Sequence, residues 1–210
     1  MAMGARPTRP GRRRDTRLDA AILDAALALF VEGGVVAASF EAIAARTGAS
    51  RSTIYRRWPN RDELLLAAID RLRTQLEAGA EDWAARPVAE VIELFQRLTL
   101  AAATDAHSIG LLRQVLALDP HSPIKHRYWA AVIQPRRDTF AQMITIARQR
   151  GELPAGLDPY LLQDLLAGAL AFRLLMHPDK LDETRAQSYL RELLTALGLH
   201  TQAPHTRVLQ

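Results

Sequence analysis

Apolar residues recur along this chain at steps of three and four, and each run is opened by a capping side chain and closed by glycine or proline. This pattern constrains the fold more than any other feature. A period near 3.6 puts apolar side chains on one helix face, whereas a strand needs a period of two. The first run, Ile22, Ala25, Ala26, Leu29 and Phe30, predicts a helix from about Thr16 to Glu32, ended by Gly33-Gly34. Ser39 caps a short helix through about Arg46, with Glu41 in the first turn, where a carboxylate complements the dipole; Gly48 breaks it. Ser50 caps a third helix, RSTIYRRW, nine residues long with its cap and stopped by Pro59. Asn60 and Glu63 make a capping box for a fourth helix to about Ala78, with Leu65, Ile69, Leu72 and Leu76 as its stripe.

The remainder reads the same way. Helices are expected over about Val88–Thr104, with Val91, Ile92, Phe95 and Leu98 inward, and over Ile109–Leu118. A pair over Pro123–Arg150 is broken or kinked at Pro135 and ended by Gly151. Asp158-Pro159 opens a helix to about Met176, and Asp182 caps the last, which Gly198 closes. No strand pattern and no repeat interrupts this, so the fold is expected to be all-α.

Charge is distributed unevenly. Residues 1–60 hold ten arginines against five acids, so that part is +5 and the rest is −1 of the total +4. A basic end on a near-neutral body points to a polyanion partner for that end. Residues 1–15 are rich in Pro, Gly and Arg and are expected to be a disordered basic arm, either reaching a minor groove or adding only non-specific attraction. The chain has no cysteine, which excludes disulfide scaffolds and thiolate metal sites. Neither a run of roughly 20 apolar residues nor a signal-type stretch is read, so a cytoplasmic location is expected.

Two short helices joined by a glycine-containing turn are a helix-turn-helix signal, and the second would lie in the major groove. Face arithmetic places Ile54 and Trp58 toward the core and Ser52, Tyr55 and Arg56 on the opposite side, with Thr53 and Arg57 flanking. The stretch SFEAIAARTGASRSTIYRRWPNRDELL resembles the DNA-binding motif of tetracycline-repressor (TetR) family regulators. The likeness rests on the Ile-Ala pair of the second helix, the Gly-x-Ser turn, the Thr-x-Tyr recognition core and the following aromatic. It extends to Ala-Leu-Phe before Glu-x-Gly and covers about residues 16–66. The segment RQRGELPAGLDPYLLQDLLAGALAFRLL resembles one regulatory-domain type of that family.

The resemblance implies an N-terminal three-helix DNA-binding domain (16–60) joined to a C-terminal helical domain for effector binding and dimerisation (61–200), with a tail over 201–210. It implies phosphate contacts from Ser39, Thr53, Tyr55, Arg57 and Arg61, and base reading by Arg51, Ser52 and Arg56. Glu41 departs from members with a basic reader there, and either accepts from a cytosine amine or serves the dipole alone. The resemblance also implies a homodimer on a pseudo-palindromic double-stranded operator, and a repressor released by a small-molecule effector. An activator, or a regulator controlled by a protein partner, is the alternative, and a helical protein that merely retains the motif is the rival.

Leu161, Leu162, Leu165, Leu166, Leu170, Leu174 and Leu175 span more than one helix face and ask for a second partner. The expected dimer interface is Leu162, Leu166, Leu170, Leu190 and Leu194. Phe95, His107, Arg113, Tyr128, Trp129, Met143 and Phe172 lie on otherwise apolar segments and are the candidate effector contacts, suiting an uncharged or weakly acidic aromatic ligand. His121 and His126, five apart, do not share a helix face, so no metal and no cofactor is expected. Neither a nucleophile elbow nor a phosphate loop is present, so the chain is not expected to be an enzyme.

Overall fold

The protein, seen as a computed structural model, is described over residues 16–77, 86–179 and 182–199. The basic arm and the tail lie outside the described residues. Within them the chain is helical: α1 (Thr16–Ala37), α2 (Phe40–Thr47), α3 (Arg51–Tyr55), α4 (Arg61–Glu77), α5 (Val88–Thr104) and α6 (Ala106–Ala117) come first. Next are α7 (Pro123–Tyr128), a π turn (Trp129–Ile133), α8 (Gln134–Gln149), α9 (Pro159–Leu175) and α10 (Glu183–Ala196).

The expected caps recur with their hydrogen bonds. Ser39 Oγ accepts from Ala42 N at 3.1 Å, Asn60 Oδ1 from Glu63 N at 2.9 Å, and Asp158 Oδ1 from Tyr160 N and Leu161 N at 2.9 and 3.1 Å. Gly33-Gly34 does break α1, and Gly34 has φ 72°, but one further helical turn follows to Ala37. The break expected at Pro135 lies upstream instead. Pro135 offers no N–H to the preceding turn, and the chain widens into a π turn closed by Gln134 N donating to Trp129 O.

Two cores organise the helices. The first gathers Ile22, Ala26, Ile43, Ile54 and Leu64 of the first four helices and Trp58 of the α3–α4 link with Leu111 and Val115 of α6, Ile124 of α7 and Val132 of the π turn. The second joins Val88 of α5, Phe140 and Ile144 of α8, Leu162 and Leu166 of α9, and Leu190 and Leu194 of α10. The packing therefore does not divide at residue 60, because α4, α6 and α7 share the core of α1–α3. Of the α4 stripe, Leu65 and Ile69 are buried but Leu76 is exposed. On α5, Val91 is buried while Leu98 faces out. The 22-residue α1 is long and apolar enough to cross a membrane by length and composition. Its Ile22, Ala26, Leu29 and Phe30 instead form the centre of the first core, and Asp19 and Asp24 engage Arg57 and Arg71.

Candidate nucleic-acid interface

The turn between α2 and α3 is built from its own side chains. Gly48 takes φ 70° and donates its N–H to Ala44 O at 2.9 Å, a conformation that a side chain disfavours. Thr47 Oγ1 donates to Ile43 O at 2.8 Å and accepts from Ala49 N at 3.3 Å, locking the exit from α2. Ser50 Oγ then accepts from Thr53 N at 3.2 Å and lies 2.8 Å from Thr53 Oγ1, starting α3.

The regular part of α3 is five residues, not nine; Arg56 and Arg57 continue as a turn that ends at Trp58. Ile54 and Trp58 are buried. Arg51, Ser52, Tyr55 and Arg56 are exposed, and Thr53 is half-buried. Tyr55 and Phe40 pack as a T-shaped pair with ring centroids 4.4 Å apart, so α2 braces a Tyr55 side chain that stays exposed. Arg56 Nη2 reaches Thr53 Oγ1 at 3.4 Å. Arg61 opens α4 and is exposed beside the turn. Glu41 lies 3.9 Å from Arg51, both side chains in solvent, so it meets a neighbouring cation as well as the helix dipole.

Arg57 departs from its expected place. Its Nε lies 2.8 Å from Asp19 Oδ1, and both side chains are withdrawn from solvent, so the guanidinium faces α1. Asp19 was missed from sequence: it is one acid in the first turn of α1, and no local pattern ties it to a residue 38 positions on.

Four of the five leucines expected at a dimer interface need correction. Leu162, Leu166, Leu190 and Leu194 are buried in the protomer's own second core, and Leu170 packs against it. Those four lie inside the protomer, while Leu170 keeps part of its surface in solvent. The outward face of α9 carries Leu161, Leu165, Gly168, Phe172 and, at its end, Met176, all exposed at three- and four-residue steps.

The seven candidate effector contacts do not converge. Phe95 packs on Phe140 at 5.7 Å, and Met143 lines a void of about 10 Å³ between α5 and α8. Burial pushes the Tyr128 hydroxyl above its ordinary pKa, opposed in part by Arg136. His107, Arg113 and Phe172 face solvent. The Trp129 indole donates to Gln134 Oε1 at 3.1 Å and lies under the Arg137 guanidinium, which also covers Tyr160 and pairs with Asp164.

Residues 22–68 match the family model described as bacterial regulatory proteins, tetR family. Residues 89–193 match that of the tetracyclin repressor-like C-terminal domain. The uncharacterized HTH-type transcriptional regulator YdeS of Bacillus subtilis is 31% identical over 193 residues, covering 88% of this chain and 89% of that one. An HTH-type transcriptional repressor of Mycobacterium tuberculosis is 32% identical over 116 residues, covering 53% of this chain and 62% of that one. SmeT, the repressor of the Stenotrophomonas maltophilia multidrug efflux pump SmeDEF, has the same fold. It superposes with a TM-score of 0.65 at 24% identity, over 90% of this chain and 94% of its own. A SmeT–triclosan complex gives a TM-score of 0.69 at 23% identity, over 92% and 99%.

Proposed function

The chain belongs to the tetR family of bacterial regulatory proteins and is a sequence-specific DNA-binding transcriptional regulator, and we propose that it acts in the cytoplasm as a homodimeric repressor released by a small molecule. The observation that carries this reading is the seating of α3. Ile54 and Trp58 anchor one side in the first core, and Ser52, Tyr55 and Arg56 stand clear on the other. A helix held this way presents polar groups to base edges in a major groove.

Arg51, Ser52 and Arg56 read bases in this proposal. Ser39, Thr53, Tyr55 and Arg61 hold phosphates, Arg61 from the N-terminus of α4, where the dipole favours an anion. The two α9 outward faces meet across a two-fold axis and place one α3 in each half-site. Relatives named as repressors support repression over activation.

The effector enters the seam between α5 and α8, at the small void lined by Val88, Val91 and Met143. Opening that seam shifts α8, and with it the π turn whose Val132 belongs to the first core. Release then follows from tighter ligand binding to the DNA-free arrangement, by the factor that it weakens DNA binding. SmeT has been solved in a complex with triclosan, which supports a small-molecule ligand for this fold.

Substitution of two arginines tests the docking. Arg56→Ala should lose about 1–3 kcal/mol at one base position and relax preference there. Arg61→Ala should weaken binding to all duplexes alike and flatten the salt dependence. If both variants keep full operator affinity, α3 does not lie in the groove as proposed.

A further inference from the structure

We propose that Asp19 is a positioning residue for the recognition helix, and that its ion pair with Arg57 sets how sharply this protein separates its operator from other DNA. Arg57 Nε and Asp19 Oδ1 are 2.8 Å apart, with the side chains 16% and 13% exposed. Arg46–Glu32 and Arg71–Asp24, by contrast, lie at the surface. Five helical residues are too few to hold α3 by its own hydrogen bonds, so its orientation is set by tertiary contacts. Ile54 of α3 and Trp58, one turn on and bonded through its N–H to Ile54 O at 3.0 Å, anchor the element along one side, and a single side of contact leaves rotation about it. Two lateral stays remove this freedom. Tyr55 rests on Phe40 of α2 on one side, and Arg57 is tied to Asp19 of α1 on the other.

The rotation matters more for bases than for phosphates. Bidentate reading of a base edge depends on tight geometry, whereas a phosphate contact tolerates adjustment and carries no sequence information. Loosening the stay therefore costs discrimination before it costs general affinity. The pair also holds a cation out of play. With Asp19 neutral, Arg57 would be an uncompensated charge inside the head, which drives it outward to the surface that faces DNA. There it becomes an extra phosphate ligand. Replacing this acid should thus raise binding to unrelated DNA while lowering preference for the operator. This proposal rests on α3 being the base-reading element.

The test uses the full-length protein and two duplexes of equal length, one selected from random DNA by the wild type and one unrelated, with anisotropy read across a salt series. Asp19→Asn should bind the unrelated duplex more tightly, with a log–log salt slope steeper by about 0.9, the value of one added phosphate contact. Its ratio of specific to non-specific affinity should fall at least roughly tenfold, a loss of about 1.4 kcal/mol. Asp19→Asn with Arg57→Ala should return the slope to wild type without restoring the ratio. Two results overturn the proposal: Asp19→Asn weakening both duplexes by one common factor, or Arg57→Ala alone flattening the slope by one contact, which would show Arg57 on a phosphate. Should Asp19→Asn fail to fold, Arg57→Gln carries the test. It should lose the ratio at unchanged non-specific affinity, and an unchanged ratio refutes the pair's role. An Arg56→Ala variant with full discrimination would instead overturn the placement of α3, and this proposal with it.

Discussion

Glutamate at Leu165 should abolish dimers while leaving the protomer folded. Leu165 and Leu166 are neighbours on α9, yet one is 43% exposed and the other 2%. On the outward stripe, Leu161, Leu165, Phe172 and Met176 keep 45%, 43%, 66% and 69% of their surface in water. Full burial of such a side chain is worth about 1.5–3 kcal/mol, so covering the remainder on both protomers supplies about 7–13 kcal/mol against the cost of association. In a two-fold interface each substitution counts twice. Leu165→Glu forfeits about 1–3 kcal/mol of that apolar gain and asks two carboxylates to leave water, which costs at least as much again. A total near 3 kcal/mol or more raises the dimer dissociation constant over roughly a hundredfold. Sedimentation velocity should then show monomers at micromolar protein, with an unchanged helical circular dichroism spectrum and lost operator binding. Leu166→Ala should do the opposite, costing about 2–5 kcal/mol of stability through a core cavity while dimers persist below the melt. If Leu165→Glu sediments as the wild type does, the outward face of α9 is not the interface.

Two further predictions concern the joints of the fold. An added Cβ at Gly110 would stand 2.7 Å from Val31 Cγ1, so Gly110→Ala should destabilise the α1–α6 crossing by about 1–3 kcal/mol, and Val31→Ala should relieve it; a thermal melt unchanged by Gly110→Ala refutes this. Asp105 caps α6, and the Ser108 backbone N–H, then the Ser108 hydroxyl, hold its carboxyl below the usual range. A carboxyl depressed by folding stabilises above its unfolded value and loses that contribution as pH falls through the folded value. Melting of Asp105→Asn should therefore change less than wild type as pH falls below about 4, and parallel curves for the two would contradict the cap's role.

Much of the fold was legible because helix ends are local chemistry. Ser39, Ser50, Asn60 and Asp158 each cap the helix that follows within three residues. The leucine pairs of α9 were not legible in the same way. Leu161/Leu162 and Leu165/Leu166 fill two faces at once, so periodicity alone does not say which face meets the protomer's own core. The π turn also escaped, since proline announces a disturbance but not whether the chain breaks or widens. At the interface, the outward face of α3 follows from the spacing of Ile54 and Trp58. The inward turn of Arg57 depends on an acid 38 residues away, which no helical period reveals. The effector residues were chosen by type, and type does not fix a helix face: Phe95 packs inward whereas Phe172 faces water.

Selection of bound duplexes from a fully random DNA pool by the wild-type protein tests the central claim most directly, since it needs no prior operator. A dimer presenting one α3 per half-site should enrich two inverted half-sites one helical turn or a multiple apart, with the strongest base preference where Arg51, Ser52 and Arg56 reach. Enrichment of no sequence above background, or of a single half-site without an inverted partner, would contradict the account.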